Sequence, residues 1–280
     1  MNDPVPAVTE AAATGEIASI FADIRQVLGV DVVNLIWRHL ATIPGALPWA
    51  WRTLRPLYVD GTIATEAVAL HADLALPRLP VFPPEAFAGA DLLESDINAI
   101  REVLAAYDRT NAMAIVALFA LLLRLDGESF ALDAAAAHGG EPHQRPLPIS
   151  LPALLNMADL APATAELVLT LNRLGTRRDN PILASMYRHL AHWPSYLALI
   201  WAIIAPLDAN GSLGRSIADA VAKARARAGR VVIRLGANSD LPVEPAIRTA
   251  IRAAVEPFTS DVIAKMLVIC AVLRATSAAL

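Results

Sequence analysis

Apolar positions recur at helical spacing along most of this chain. From Ile17 to Leu28 the apolar residues fall on one stripe, as expected for a helix with one buried face. Similar stripes predict helices over 31–41, 45–57, 62–75, 96–124, 163–174, 181–192, 195–206, 214–227, 245–255 and 260–275. The segment Arg230 to Leu235 has a β-like composition, but strand signals are otherwise nearly absent. The pattern therefore predicts an all-α fold.

The chain also matches itself when it is shifted by 150 residues. Between 38–57 and 188–207, nine of twenty positions are identical, and the same shift aligns 13–16 with 163–166. Self-similarity over such a distance indicates a duplicated unit. We predict two similar helical repeats related by pseudo-twofold symmetry. The predicted division is a first repeat over 1–125, a linker over 126–162 that contains the Gly/Pro-rich stretch His138 to Pro148, and a second repeat over 163–280.

The composition raises the possibility of a membrane protein, because 56% of the residues are hydrophobic and 18% are charged. The apolar runs Ala112 to Leu123 and Tyr196 to Leu207 are shorter than the roughly 20 residues that a membrane-spanning helix needs. We therefore expect both runs to be helices that are buried on all sides.

Charge and cysteine content restrict the partners and the compartment. The net charge of −4 gives no basic face for nucleic acid. The N-terminus lacks the pattern of a secretory signal peptide. Cys270, the single cysteine, lies in an apolar run, which is typical of buried packing in a reducing cytosol. The expected location is therefore cytoplasmic. The histidines lack the spacing of metal ligands, so no metal site is predicted.

Two of the nine identical positions carry polar side chains that could do chemistry, namely the pairs Arg38/Arg188 and His39/His189. A residue that is needed twice is more often structural than catalytic, so we interpret these four as holding the helices together. The same segments contain Pro44 and Pro194, which predict short corners between helices because proline suits the first turn of a helix but not its interior.

A single functional site should instead lie where the two halves differ in chemistry. Asp179 aligns with Gly29, and Asn111 aligns with Asp261. The pair Asn111 and Asp179 therefore combines an amide from one half with a carboxylate from the other, and the reciprocal pair lacks that carboxylate. One site is expected.

Both residues also have structural interpretations. In the sequence Asp179-Asn180-Pro181, asparagine suits a helix N-cap and proline suits the first helical position, which favours a helix beginning there. Asn111 lies within a long apolar segment, where a buried amide must find partners. It could simply join two helices, or it could hold a water molecule or a ligand.

At these residues the chain resembles the group I 2-haloacid dehalogenases, which act on both D- and L-substrates. The resemblance covers nearly the whole chain and implies an all-α, two-repeat fold. It implies that Asp179 is the general base and that Asn111 holds the attacking water, which displaces halide at Cα with inversion and without a covalent ester. It also implies a homodimer that uses no metal or organic cofactor.

Three further residues are candidates for substrate binding. Arg178 stands beside the expected base, where the family has a small polar residue, and Asp31 and Asn34 stand where aromatic pocket residues are expected. These departures leave open an enzyme that acts on another short acid. A second alternative is a non-catalytic helical repeat protein that binds a small ligand or partner in the cleft between the repeats.

Overall fold

The computed structural model describes residues 5–77, 79–127, 150–238 and 244–277, and within these ranges the chain is helical without a β-strand. This confirms the predicted all-α class. The predicted linker segment His138 to Pro148 lies outside the described residues. The helices are α1 Gly15–Leu28, α2 Leu35–Leu40, α3 Ala46–Val59, α4 Thr62–Asp73, α5 Pro84–Ala88, α6 Glu94–Asp126, α7 Pro162–Arg173, α8 Ser185–Leu190, α9 Pro194–Ala209, α10 Ser212–Asn238, α11 Pro245–Pro257 and α12 Ile263–Thr276.

The order of helices is similar in the two parts of the chain. Moved by 150 residues, α2 coincides with α8, and the first residue of α4 coincides with the first residue of α10. The long helix α6 corresponds to α11 and α12, which a π-helical stretch over Phe258–Val262 joins. A pseudo-twofold axis relating the two parts stays a prediction.

The centre of the molecule is α6, which packs against α4, α10 and α12. Among the described helices, α6 is the one that is long and apolar enough by itself to cross a membrane, but 89% of its most apolar window is buried inside the protein. Helices α9 and α10 pass the same test only together, and the chain bends by 84° between them. The buried run in α6 matches the expectation for a core helix.

Helix α9 differs from that expectation. Its first turn begins at Pro194, as predicted for the corner, and Leu197, Ile200 and Ile204 are buried. However, Trp201 on the other side is 46% exposed, so the prediction that this run is buried on all sides was wrong. An apolar sequence without a polar stripe cannot show which side of a helix the rest of the protein covers.

The segment Arg230 to Leu235 is helical and forms part of α10, so its β-like composition was misleading. Val231, Val232 and Leu235 are buried at helical spacing against the rest of the protein. Tertiary burial of this face outweighs the weak local preference of valine and isoleucine for strands.

Two non-helical segments, 29–34 and 174–184, precede the short helices α2 and α8. The predicted helix start at Asn180 and Pro181 was wrong, because α8 begins at Ser185. Helix α2 likewise begins at Leu35 and not at 31. Gly175 turns the chain after α7 at a φ of 73°, and a Cβ atom there would lie 2.8 Å from the Ile217 side chain, so only glycine fits.

Candidate functional site

A cavity lies where the two segments meet α6 and the π-helical stretch. It contains about 660 Å³ of space that protein atoms do not fill, part of which is open to solvent. Both parts of the chain contribute to its wall. The lining residues are Val30, Val32, Val33, Asn34, Leu35, Ile36, Ala106, Tyr107, Thr110, Asn111, Leu151, Leu183, Ala184, Ser185, Met186, Phe258, Val262, Ile263 and Met266.

Three of the polar residues that line the cavity are Asn34, Thr110 and Asn111. The Asn34 amide donates to the Thr110 hydroxyl at 3.5 Å, and that hydroxyl donates to the Ala106 carbonyl at 2.8 Å. Asn111 is 5% exposed, its amide lies beside the buried Cys270 thiol, and its Nδ2 group makes no well-formed hydrogen bond to another described residue. A thiol is a weak acceptor, so this amide remains suited to bind a water molecule or a ligand.

Two further lining residues, Tyr107 and Ser185, have hydroxyl groups. The Tyr107 hydroxyl lies 2.6 Å from Nδ1 of His189, which is fully buried. Burial lowers the pKa of His189 to about 4, and the nearby charges of Arg188, His192 and Arg38 act in the same direction. The imidazole is therefore neutral at physiological pH. Burial also raises the pKa of Tyr107, so its hydroxyl stays protonated.

The structure does not place all the predicted site residues together. Asn34 and Asn111 line the cavity, but Asp31, Arg178 and Asp179 are exposed and lie outside its lining. Asp179 is four residues before Leu183, which lines the cavity. Because a chain extends at most about 3.6 Å per residue, the two Cα atoms lie within about 14 Å of each other.

The first cavity segment, 29–34, is held by charged side chains. The Val33 amide donates to the Glu10 carboxylate at 2.8 Å, and Arg25 forms an ion pair with the same carboxylate. On the other side of the peptide, Arg38 Nε donates to the Val33 carbonyl at 3.1 Å. This contact ties Arg38 to the segment that precedes its own helix and does not itself join two helices, so the predicted role of the repeated arginines in holding helices together stays a prediction.

The second cavity segment is held by a buried amide instead. Asn172 is 3% exposed, its Nδ2 donates to the Ile182 carbonyl at 3.2 Å, and its Oδ1 accepts from the Ala184 amide at 3.1 Å. These two bonds keep the chain extended up to Ser185, which explains why no helix begins at Asn180. The buried Lys265 donates to the Asn172 carbonyl at 2.6 Å, and burial lowers the pKa of Lys265 to about 8.

No acidic residue is among the residues that line the cavity. Two buried carboxylates, Asp108 and Asp261, are each next in sequence to a residue that lines the cavity. Asp108 accepts from His71 at 2.6 Å and pairs with Arg274, whereas Asp261 lies near Lys265 and leaves Oδ2 without a partner among the described residues. The described ranges contain no cluster of three or more metal-ligating side chains.

Sequence analysis missed Tyr107, Thr110 and Ser185 as lining residues. The repeat alignment contained a usable signal, because Tyr107 aligns with Pro257 and Ser185 aligns with Leu35. In each pair, one half has a hydroxyl and the other has none. Differences in hydroxyl groups between the two halves therefore point to this cavity, as do differences in amides.

Comparison with known proteins shows similarity to 2-haloacid dehalogenases. The chain is 26% identical over 238 residues to the configuration-inverting 2-haloacid dehalogenase of Alcaligenes xylosoxydans xylosoxydans, which covers 80% of this chain and 77% of the relative. The chain is a homologue of a 2-haloacid dehalogenase. No protein-family model matches it.

Solved structures of D-2-haloacid dehalogenase share the fold over nearly the whole length. A mutant enzyme matches with a TM-score of 0.77 at 18% identity, covering 98% of this chain and 96% of that chain. The complex of a mutant with D-2-CPA matches with a TM-score of 0.75 at 18% identity, covering 99% and 97% of the two chains. The complex with L-LA matches with a TM-score of 0.77 at 18% identity, covering 98% and 96%.

Proposed function

We propose that the protein is a 2-haloacid dehalogenase, a hydrolase that converts short 2-haloalkanoic acids into 2-hydroxy acids. The supporting observation is the cavity itself, which is apolar except for a few neutral polar groups and contains the unsatisfied amide of Asn111. Such a cavity suits the halogen and the short alkyl chain of a small haloacid, whose carboxylate can face the side that is open to solvent. The homologous enzyme acts in this way with inversion of configuration.

In the proposed reaction, Asn111 holds the attacking water and Asp179 accepts its proton. The new C–O bond forms at Cα while the carbon–halogen bond breaks, and halide leaves with the bonding electron pair. Attack opposite the departing halide inverts the carbon, and no ester to the protein forms. An oriented water and a general base of this kind typically contribute about 10²- to 10⁴-fold to the rate.

This mechanism requires Asp179 to act from the mouth of the cavity. Its segment continues into Leu183 and Ala184, which form part of the wall, so a turn of the segment toward the cavity would bring the carboxylate to the water. Arg178 and Asp31 would then contact the substrate from the same exposed rim, and Asn34 would contact it from the wall. The exposed position of the base predicts that substrate binding and closure of this segment are coupled.

The test is release of halide from 2-chloropropionate by wild-type protein and by Asp179→Asn. We expect halide release in the wild type and at least a 100-fold lower rate in the variant, because a neutral amide cannot accept the proton. Asp159→Asn is the matched control, since Asp159 is also an exposed aspartate but does not line the cavity. If Asp179→Asn releases halide at the wild-type rate, Asp179 is not the general base.

A non-catalytic function has a different signature in the same experiment. In that case no conversion occurs, but 2-chloropropionate raises the melting temperature because it binds the folded state. Release of halide by the wild type excludes this alternative.

The finer substrate class follows from the resemblance to the D,L-acting group. We propose that both enantiomers are accepted, which is tested by supplying D- and L-2-chloropropionate separately. We also propose a cytoplasmic homodimer that uses no metal or organic cofactor. Sedimentation at the mass of a single chain would contradict the homodimer. Loss of activity with a metal chelator would contradict the absence of a metal cofactor.

A further inference from the structure

Two polar residues that line the cavity, Tyr107 and Asn111, lie on the same face of α6. They are four residues apart, which is about one helical turn and about 6 Å along the helix axis. A small molecule in the cavity can therefore meet both an amide and a hydroxyl.

The environment of His189 determines which group donates in the Tyr107–His189 hydrogen bond. His189 Nε2 is buried and has no partner among the described residues. A buried N–H group without an acceptor is rarer and more costly than an acceptor without a donor. We therefore assign the proton to Nδ1, which donates to the Tyr107 oxygen. This tautomer leaves the O–H group of Tyr107 available to donate into the cavity.

A second hydroxyl lies close to that of Tyr107. Ser185 also lines the cavity, and its buried Oγ donates toward the Tyr107 oxygen without forming a well-shaped hydrogen bond. Together with the N–H group of His189, this contact orients the Tyr107 hydroxyl.

The surroundings of these hydroxyls are positively charged. Arg38 and Arg188 are fixed by hydrogen bonds to the carbonyls of Val33 and Leu155, at 3.1 Å and 2.6 Å. Both guanidinium groups lower the pKa of Tyr107, against the larger effect of burial. They do not line the cavity, so they produce a positive potential there without contacting its contents.

We propose that Tyr107, positioned by His189 and assisted by Ser185, donates the hydrogen bond that receives the departing halide. This inference rests on the proposed dehalogenase function. Inversion requires the halogen to lie on the far side of Cα from the attacking water, and Tyr107 lies one helical turn from the amide that holds this water. Neutral donors in a positive environment favour charge that develops only as the carbon–halogen bond breaks.

The test compares two leaving groups in Tyr107→Phe, a change that removes only the hydroxyl. Under single-turnover conditions we expect the rate with 2-chloropropionate to fall roughly 10- to 100-fold, in line with the loss of one donor to developing negative charge. The rate with 2-bromopropionate should fall less, because bromide leaves more easily than chloride. The bromo-to-chloro rate ratio therefore rises, and Ser185→Ala should move it in the same direction.

Tyr187→Phe is the matched control, because Tyr187 is a buried tyrosine outside the cavity whose hydroxyl has no partner among the described residues. It should leave the ratio unchanged. Equal losses for both halogens in Tyr107→Phe, or a raised KM with an unchanged ratio, would overturn the proposal and assign the hydroxyl to the substrate carboxylate or to packing.

A second readout does not depend on activity. Chloride bound to the wild type should broaden the chloride NMR line, and Tyr107→Phe should reduce the broadening while Tyr187→Phe does not. If the wild type releases no halide from any haloacid, the proposed function fails whatever the chloride measurement gives. If halide is released but neither the rate ratio nor the broadening responds to Tyr107→Phe, this inference alone fails.

Discussion

The two segments that line the cavity follow similar paths but are held by different chemistry. In the first half, the Glu10 carboxylate and the Arg38 guanidinium bind the two sides of the Val33 peptide. In the second half, the single amide of Asn172 binds the carbonyl of Ile182 and the N–H group of Ala184. Neither solution repeats in the other half, since Glu10 aligns with Leu160 and Asn172 aligns with Ala22.

The difference predicts which wall is more rigid. Glu10 and Arg25 have side chains that are 28% and 36% exposed, so water and salt screen their attraction. Asn172 is buried, and both groups it binds would remain unsatisfied if it were removed. The segment with the proposed base is thus fixed firmly at its end, while Asp179 in its exposed part is free of that constraint.

The largest effect is expected for Asn172→Leu, which keeps the branched shape of the side chain but removes both hydrogen bonds. Leaving a carbonyl and an N–H group buried and unpaired should lower the free energy of unfolding by about 3 kcal/mol. Denaturant unfolding measures this directly. The exposed Asn98 serves as the control, because Asn98→Ala should change stability by less than about 0.5 kcal/mol.

The matched change in the first half is Glu10→Gln, which keeps an oxygen for the Val33 amide and removes the charge. It should cost less than about 1 kcal/mol, and the loss should shrink as salt is added. If Glu10→Gln destabilises as much as Asn172→Leu, or if its effect does not depend on salt, the contrast between the two walls is wrong.

The two repeated histidines provide a second contrast. Nδ1 of His39 donates to the Pro6 carbonyl at 2.7 Å near the surface, whereas His189 is buried against Tyr107. The pKa of His189 falls from 6.5 to about 4 on folding, so the unfolded chain binds the additional proton between these values. The free energy of unfolding is therefore not reduced by this group above pH 6.5. It decreases as the pH falls from 6.5 toward 4, because the unfolded chain then binds the proton.

This contrast is measured as the change in unfolding free energy between pH 6.5 and pH 4. The wild type should lose about 3 kcal/mol more than His189→Gln over this range, because a shift of one pKa unit corresponds to about 1.4 kcal/mol. Identical pH profiles for the two proteins would show that His189 is not held neutral by the fold.

The sequence predicted the helices well where apolar residues repeat with a clear period. It placed α2 and α8 in equivalent positions and α6 in the core, because these features depend on spacing and length. It failed at Asn180 and Pro181, where a distant side chain, Asn172, fixes the backbone and overrides a good local helix-start signal.

For the candidate site, the sequence identified the two amides on the cavity wall, Asn34 and Asn111. It did not identify Tyr107 or the hydrogen bond between Tyr107 and His189. A histidine that occurs in both halves is interpreted as structural as long as its partner is unknown. Tyr107 has no counterpart in the second half, so the two identical histidines have different neighbours. The exposed position of Asp179 could not be predicted either, since it depends on how the whole segment is tied.

The central claim is that water, and not a protein carboxylate, attacks the haloacid. The most direct measurement is a single turnover of D- and L-2-chloropropionate in oxygen-labelled water with excess protein, followed by mass and chirality of the product. Direct attack predicts labelled lactate of inverted configuration in the first turnover. Unlabelled lactate, retained configuration, or no halide release from the folded protein would contradict the account.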